Sequence, residues 1–264
     1  MRPGSSPQLA DRITFGALSG STTTQSGSVL TQAETAVSAT SGNAALATAD
    51  LLYQGEFLGD GQPLAAARQV ATPREFAGYT LGYNHSLFAQ RTHDILTLVA
   101  FCRSYAPHPP RRLSLAATGG AGPWAAAALA QIAAAQTSAA QSSPILDRAV
   151  IDTRGFRFAQ VQDLKDVNFL PGSVKYGDLP AMLALAAPTP LWLSGEEGKL
   201  PDAVRASYTA AGAIGAVVSS AEPATPAADA AQPDEARWSE ALTWLMQPPA
   251  APAGKSPAAP TPGN

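Results

Sequence analysis

Six short apolar runs punctuate the chain, separated by segments of helical period or by Gly/Pro/Ser-rich stretches. The runs are Arg12–Leu18 (RITFGAL), residues 43–52 (NAALATADLL), Arg112–Thr118 (RLSLAAT), Arg148–Asp152 (RAVID), residues 190–194 (PLWLS) and residues 213–219 (AIGAVVS). Each reads as a strand, and the second, a continuous apolar run that includes Asp50 near its end, as a strand buried on both faces. Between them lie helical patterns. Over residues 84–105, Phe88, Ile95, Val99 and Cys102 share one face with Leu87 and Leu98 beside it, a 3.6-residue period. Residues 124–136 form an alanine-rich helix entered through Pro123, which suits a first helical turn. Shorter helices are expected over 31–40, 179–186 and 202–211, and an amphipathic one with an acidic first turn over 234–246. Residues 19–28, 55–82 and 221–233 read as loops or flexible tracts, the second capping one end of a sheet.

Strand and helix alternate along the whole chain, which predicts β-α-β units with right-handed crossovers. The expected class is therefore α/β, a three-layer sandwich with a mostly parallel sheet of about six strands. Residues 12–246 form one domain in this reading, preceded by a flexible arm (1–11) and followed by a disordered Pro/Ala-rich tail (247–264).

Composition narrows the function classes. A chain of 264 residues that is 45% hydrophobic and 14% charged can build one sizeable core. A net charge of −3 with no basic block argues against nucleic acid as a partner. No run approaches the roughly 20 apolar residues of a membrane span. Cys102 is the single cysteine, so neither an intramolecular disulfide nor a cysteine-cluster metal site can form. The first residues lack the apolar core of a signal peptide, which leaves the compartment open.

Chemistry concentrates in LSLAATGGAGPWAAAAL, residues 113–129. A buried strand, a glycine-dense turn and a helix of small residues is the layout of a nucleophile elbow. The elbow frame falls on Ala117-Thr118-Gly119-Gly120-Ala121, or one residue later, and either way glycine occupies the nucleophile position. Glycine has no side chain with which to attack a carbonyl. Two other readings stay open for this turn. It could cradle a phosphate, although it lacks the Walker lysine and fits a dinucleotide fingerprint poorly. It could also be a tight turn that allows close packing.

Other residues carry weaker signals. Asp152-Thr153-Arg154 ends a strand at the edge where α/β proteins place their sites, so Asp152 is either functional or a turn cap. Glu196 and Glu197 follow the next strand. His85 and His93, eight apart on the predicted long helix, lack a third metal ligand because Asp94 points elsewhere on the wheel, and His108 sits at a helix end beside two prolines. No metal or cofactor is therefore expected. Cys102 reads as a core residue. Trp124 and Trp192 are expected to flank the crevice, as core anchors rather than a carbohydrate platform.

Together these segments resemble the α/β-hydrolase superfamily, particularly its acetylxylan-esterase-like and dienelactone-hydrolase-like branches. Ala47-Thr48-Ala49-Asp50-Leu51-Leu52-Tyr53-Gln54-Gly55-Glu56 looks like the segment after the oxyanion strand. The helix with Arg91 and Asp94 resembles the one preceding the nucleophile strand. Phe169-Leu170-Pro171-Gly172 and Ala187-Pro188-Thr189-Pro190-Leu191 resemble the approach to the acid-bearing strand. The likeness covers residues 43–246 and lacks the first two strands of the full fold. It implies a nucleophile at Gly119 (or Gly120), an acid at Glu196, Glu197 or Asp152, and a histidine after the last strand, yet no histidine follows His108. The resulting expectation is a catalytically degenerate hydrolase-like domain with a structural role, or one that binds a small carbonyl or carbohydrate ester. The alternative is an active carboxylic ester hydrolase, acetyl esterase-like, using a non-standard set drawn from hydroxyls such as Ser86, Ser173 or Thr118.

Overall fold

A computed structural model describes residues 12–18, 44–55, 58, 64, 66–67, 80–105, 110–138, 143–220 and 235–247, with β1 described by its backbone. The expected arm, the tail beyond Gln247, the helix at 31–40, most of the 55–82 loop, the 221–233 tract and His108 lie outside the described residues.

Six strands, β1 (Arg12–Leu18), β2 (Ala44–Ala47), β3 (Arg112–Thr118), β4 (Arg148–Asp152), β5 (Leu191–Ser194) and β6 (Val217–Ser219), form one sheet in the order β2-β1-β3-β4-β5-β6. Every pairing is parallel. Among the described residues they are accompanied by the helices α1 (Leu87–Ser104), α2 (Gly122–Ser138), α3 (Asp178–Leu185), α4 (Asp202–Ala210) and α5 (Glu235–Met246).

Strand alternation assigns the two faces. Leu113, Leu115 and Ala117 of β3, Ala149 and Ile151 of β4, and Leu191 and Leu193 of β5 enter the larger core beneath α1–α4. Their neighbours Ala116, Val150 and Trp192 enter the smaller one, beneath Trp238, Ala241, Leu242 and Leu245 of α5. Period-2 side chains thus feed two helix layers, giving the three-layer α/β architecture.

The long helix keeps its predicted face: Phe88, Ile95, Val99 and Cys102 are buried, and burial pushes the Cys102 thiol up. It starts later than its period suggests because Ser86 caps it, accepting the Ala89 N–H at 3.3 Å. His85 therefore precedes α1, and of the two histidines expected on the long helix His93 alone lies on it. β2 is shorter than the apolar run 43–52. Its Ala45, Leu46 and Ala47 are half-buried at the end of the strand order, and Asp50 is exposed beyond it. The run is apolar because Leu51 returns to the core, not because a strand continues. Residues 213–216 close with a 3-10 turn, which leaves only three residues for β6.

The C-terminal helix is fixed by one arginine. Arg148, at the start of β4, donates through Nη1 to the Trp244 carbonyl at 2.7 Å and stacks 4.6 Å from the Trp244 ring centroid. That contact adds a charged donor to a last-turn carbonyl that also accepts the Gln247 N–H at 3.2 Å.

Candidate functional site

The carboxyl ends of β3, β4 and β5 meet at one edge of the sheet. β3 ends at Thr118, and Gly119 follows at φ +59°, a left-handed conformation that side chains disfavour. A 3-10 turn, Gly119–Ala121, leads directly into α2. Gly120 keeps a negative φ, so the structure places the strained bend at Gly119 and not at the shifted position. α2 can lie this close because it begins with Gly122. A Cβ built there would stand 1.7 Å from the Asp152 carbonyl oxygen.

Asp152 ends β4 beside this bend and is buried. Its Oδ1 accepts the Arg154 N–H at 2.9 Å and its Oδ2 the Gly119 N–H at 3.4 Å. Burial pushes its carboxyl above the ordinary carboxylate range, and the Glu196 charge adds to this. The two backbone donors and Arg154 oppose the shift. Asp152 is thus both the cap of its own turn and the acid nearest the bend.

Glu196, two residues beyond β5, is buried and fully engaged. Thr153 Oγ1 lies 2.7 Å from its Oε1 and 3.1 Å from the Ser194 carbonyl oxygen, and the single hydroxyl proton serves one of them at a time. The Arg157 guanidinium grips both carboxylate oxygens, Nη1 to Oε1 at 2.9 Å and Nη2 to Oε2. This bond to Glu196 raises the Arg157 pKa. Glu197 is exposed and left-handed, φ +52°, and lines a shallow pocket together with Arg157 and Glu196.

Tertiary structure therefore brings Gly119, Asp152 and Glu196 to one edge and leaves His85 and His93 away from it. His85 and His93 are exposed and line a groove against α1 and α2 whose walls include neither Gly119, Asp152 nor Glu196. Among the described residues no group of three or more His, Cys, Asp or Glu could hold a metal ion. The two tryptophans do not flank a crevice. Trp124 belongs to the larger core and Trp192 to the smaller one, on opposite faces of the sheet. The hydroxyls also have local duties: Ser86 caps α1, and Ser173 donates to the Leu170 carbonyl at 2.8 Å.

The residue that sequence reading missed is Arg157. It sits 39 positions from Glu196 in a GFRF stretch, and only the pairing of β4 with β5 brings the two together. A second missed feature is the use made of Arg91 and Asp94. The buried Arg91 donates to the Leu52 and Tyr53 carbonyls at 3.0 and 3.2 Å and lies 4.5 Å from the Trp124 ring centroid. Asp94 accepts the Leu52 N–H at 2.9 Å. One turn of α1 thereby clamps the chain leaving β2, and burial pulls the Arg91 pKa down to about 10.

No protein-family model matches the chain, and no curated protein sequence matches it significantly. Among solved structures, it is similar to a CE15 glucuronoyl esterase from Teredinibacter turnerae T7901, at 13% identity and a TM-score of 0.48, covering 91% of this chain and 67% of that one. It is also similar to a provisionally named carboxylesterase from Lactobacillus plantarum WCFS1, at 10% identity and a TM-score of 0.46, covering 90% and 87%.

Proposed function

We propose that this chain is an α/β-hydrolase-like domain whose catalytic positions have been given over to structure, and that its role is structural or ligand-binding. One observation carries the reading. The left-handed bend at the carboxyl end of β3, where an elbow would present its nucleophile, is Gly119, and the neighbouring strand's Asp152 carboxylate rests on its N–H. The bend carries no attacking group, and the acid beside it, where one would orient a base, instead ties two turns together.

The second acid position supports the same conclusion. Glu196 would orient an imidazole only if one of its oxygens were free to accept its N–H. Arg157 and Thr153 engage both oxygens and take three of the roughly four acceptor directions of the carboxylate. The phosphate-cradle alternative is disfavoured for a different reason. A buried carboxylate already faces the Gly119 N–H, and it would repel an anion at the same donor. A neutral carbonyl or carbohydrate ester suits this edge better than a phosphate.

The test is labelling with a fluorophosphonate probe, together with hydrolysis of p-nitrophenyl acetate. The chain is expected to remain unlabelled and to leave the ester at its background rate. Stoichiometric labelling of one hydroxyl, with turnover lost when that residue is replaced, would establish instead an active esterase with a non-standard set.

A further inference from the structure

The alanine content of α2 has a consequence on the opposite side of that helix from the sheet. Where α1 and α2 run side by side, α2 presents Ala127 and Ala135 on either side of Gln131, and the described residues leave the seam between the helices unfilled at both alanines. Two hollows of about 640 and 510 Å³ open along it and adjoin at Leu96 and Gln131, which line both, so they make a groove of two lobes. From Phe88 to Arg103 the groove follows fifteen residue steps of α1, about 22 Å. Phe88, Leu170 and Met182 give it an apolar wall at one end, with His85, His93 and Asp94 beside them, and Val99, Ile132 and Ile145 do so at the other.

Arg103 stands at the second end. It is half-buried in the last turn of α1 among these apolar side chains. Among the described residues it has neither an ion-pair nor a hydrogen-bond partner. A guanidinium partly withdrawn from water gains most from a carboxylate that it can meet in its planar fork. Asp94, the acid along the groove, is already held by the Leu52 N–H and by the charge of Arg91.

We propose that this groove binds a free, single-chain amphiphile with a carboxylate head: the head on Arg103, the tail laid along α1 and α2 toward Met182. The elongated shape selects a chain rather than a compact ring. Arg103 lies at the end away from His85 and His93, and as the side chain that stays charged at every pH it sets the direction. This inference is independent of whether the edge at Gly119 retains chemistry.

Calorimetric titration of the whole chain with palmitate below its aggregation concentration is expected to show saturable binding at one site, with a negative heat-capacity change. Arg103→Gln is expected to weaken it about ten-fold or more, the loss of a charge-assisted contact. Neutral hexadecanol should bind less tightly than palmitate and be indifferent to that substitution. Ala135→Trp, at an exposed position, should fill the groove and abolish binding while the thermal unfolding midpoint and far-UV circular dichroism stay as in the parent. The proposal is overturned if palmitate gives no saturable heat, if Ala135→Trp binds as the parent does, or if Arg103→Gln leaves palmitate affinity unchanged. It is equally overturned if the protein co-sediments with phosphatidylcholine–phosphatidylglycerol vesicles but ignores free palmitate, which would make the feature a membrane-surface contact.

Discussion

Gly122 faces the main-chain carbonyl of Asp152 with no room for a methyl group: a Cβ would lie 1.7 Å from the oxygen. The first residue of α2 and the last of β4 therefore fix how closely helix and sheet approach, and this distance sets the geometry of the whole bend. Because the obstacle is backbone, relief requires moving the helix or the strand. Gly122→Ala is expected to destabilise the fold by about 3 kcal/mol or more, as overpacking at a rigid contact does. Urea denaturation measures it, and a loss below about 0.5 kcal/mol would show that the helix is free to shift.

Gly119→Ser restores a hydroxyl at the bend. At φ +59° the new side chain carries strain of about 1–2 kcal/mol, and the variant is expected to fold at that cost. It should still fail to hydrolyse p-nitrophenyl acetate, because among the described residues no imidazole lies between the serine and Asp152 or Glu196. Turnover at tens of times the parent's rate would mean that a base reaches the bend after all.

Glu196 is nearly sealed, with its side chain 6% exposed, while that of Arg157 is 29% exposed. Removing the charge by Glu196→Gln leaves Arg157 partly buried without its anion. The expected loss is about 2 kcal/mol, less than for a fully buried pair because water still reaches the guanidinium. The double variant Glu196→Gln with Arg157→Met should recover part of this, giving a coupling of about 1 kcal/mol or more in a double-mutant cycle. Strict additivity would reduce the pair to a surface contact.

Asp152 has its pKa raised in the fold, so the folded chain holds its proton at a pH where the unfolded chain has released it. The sign follows from linkage: its contribution is most favourable below the ordinary carboxylate value of 3.8 and is lost as pH rises from there through the folded-state pKa. Asp152→Asn is expected to flatten this fall. Comparing urea midpoints of parent and variant from pH 4 to pH 7 checks it. An unchanged slope would place the pH dependence on other groups.

How far the sequence reached can be judged at these same residues. The extents of β3 and β4 were readable residue by residue, because both are buried strands bounded by abrupt polar or glycine signals, and the glycine-dense turn after Thr118 announced a sharp bend. The face of α1 followed from its period. Less legible were β2, where an apolar run outlasts its strand because Leu51 packs without pairing, and β6, shortened by a 3-10 turn that apolar residues adopt as readily as a strand. The start of α1 depended on a capping bond from Ser86, which moved His85 off the helix.

By itself, the sequence determined the elements and their alternation, since hydrophobic period and turn chemistry are local properties of the chain. Only the tertiary structure decided which strand lies beside which, and hence that Asp152 reaches Gly119 and that Arg157 captures Glu196 across 39 residues. Those contacts depend on sheet order and on how closely helices pack, quantities that arise when distant segments share one core and that no stretch of sequence carries alone.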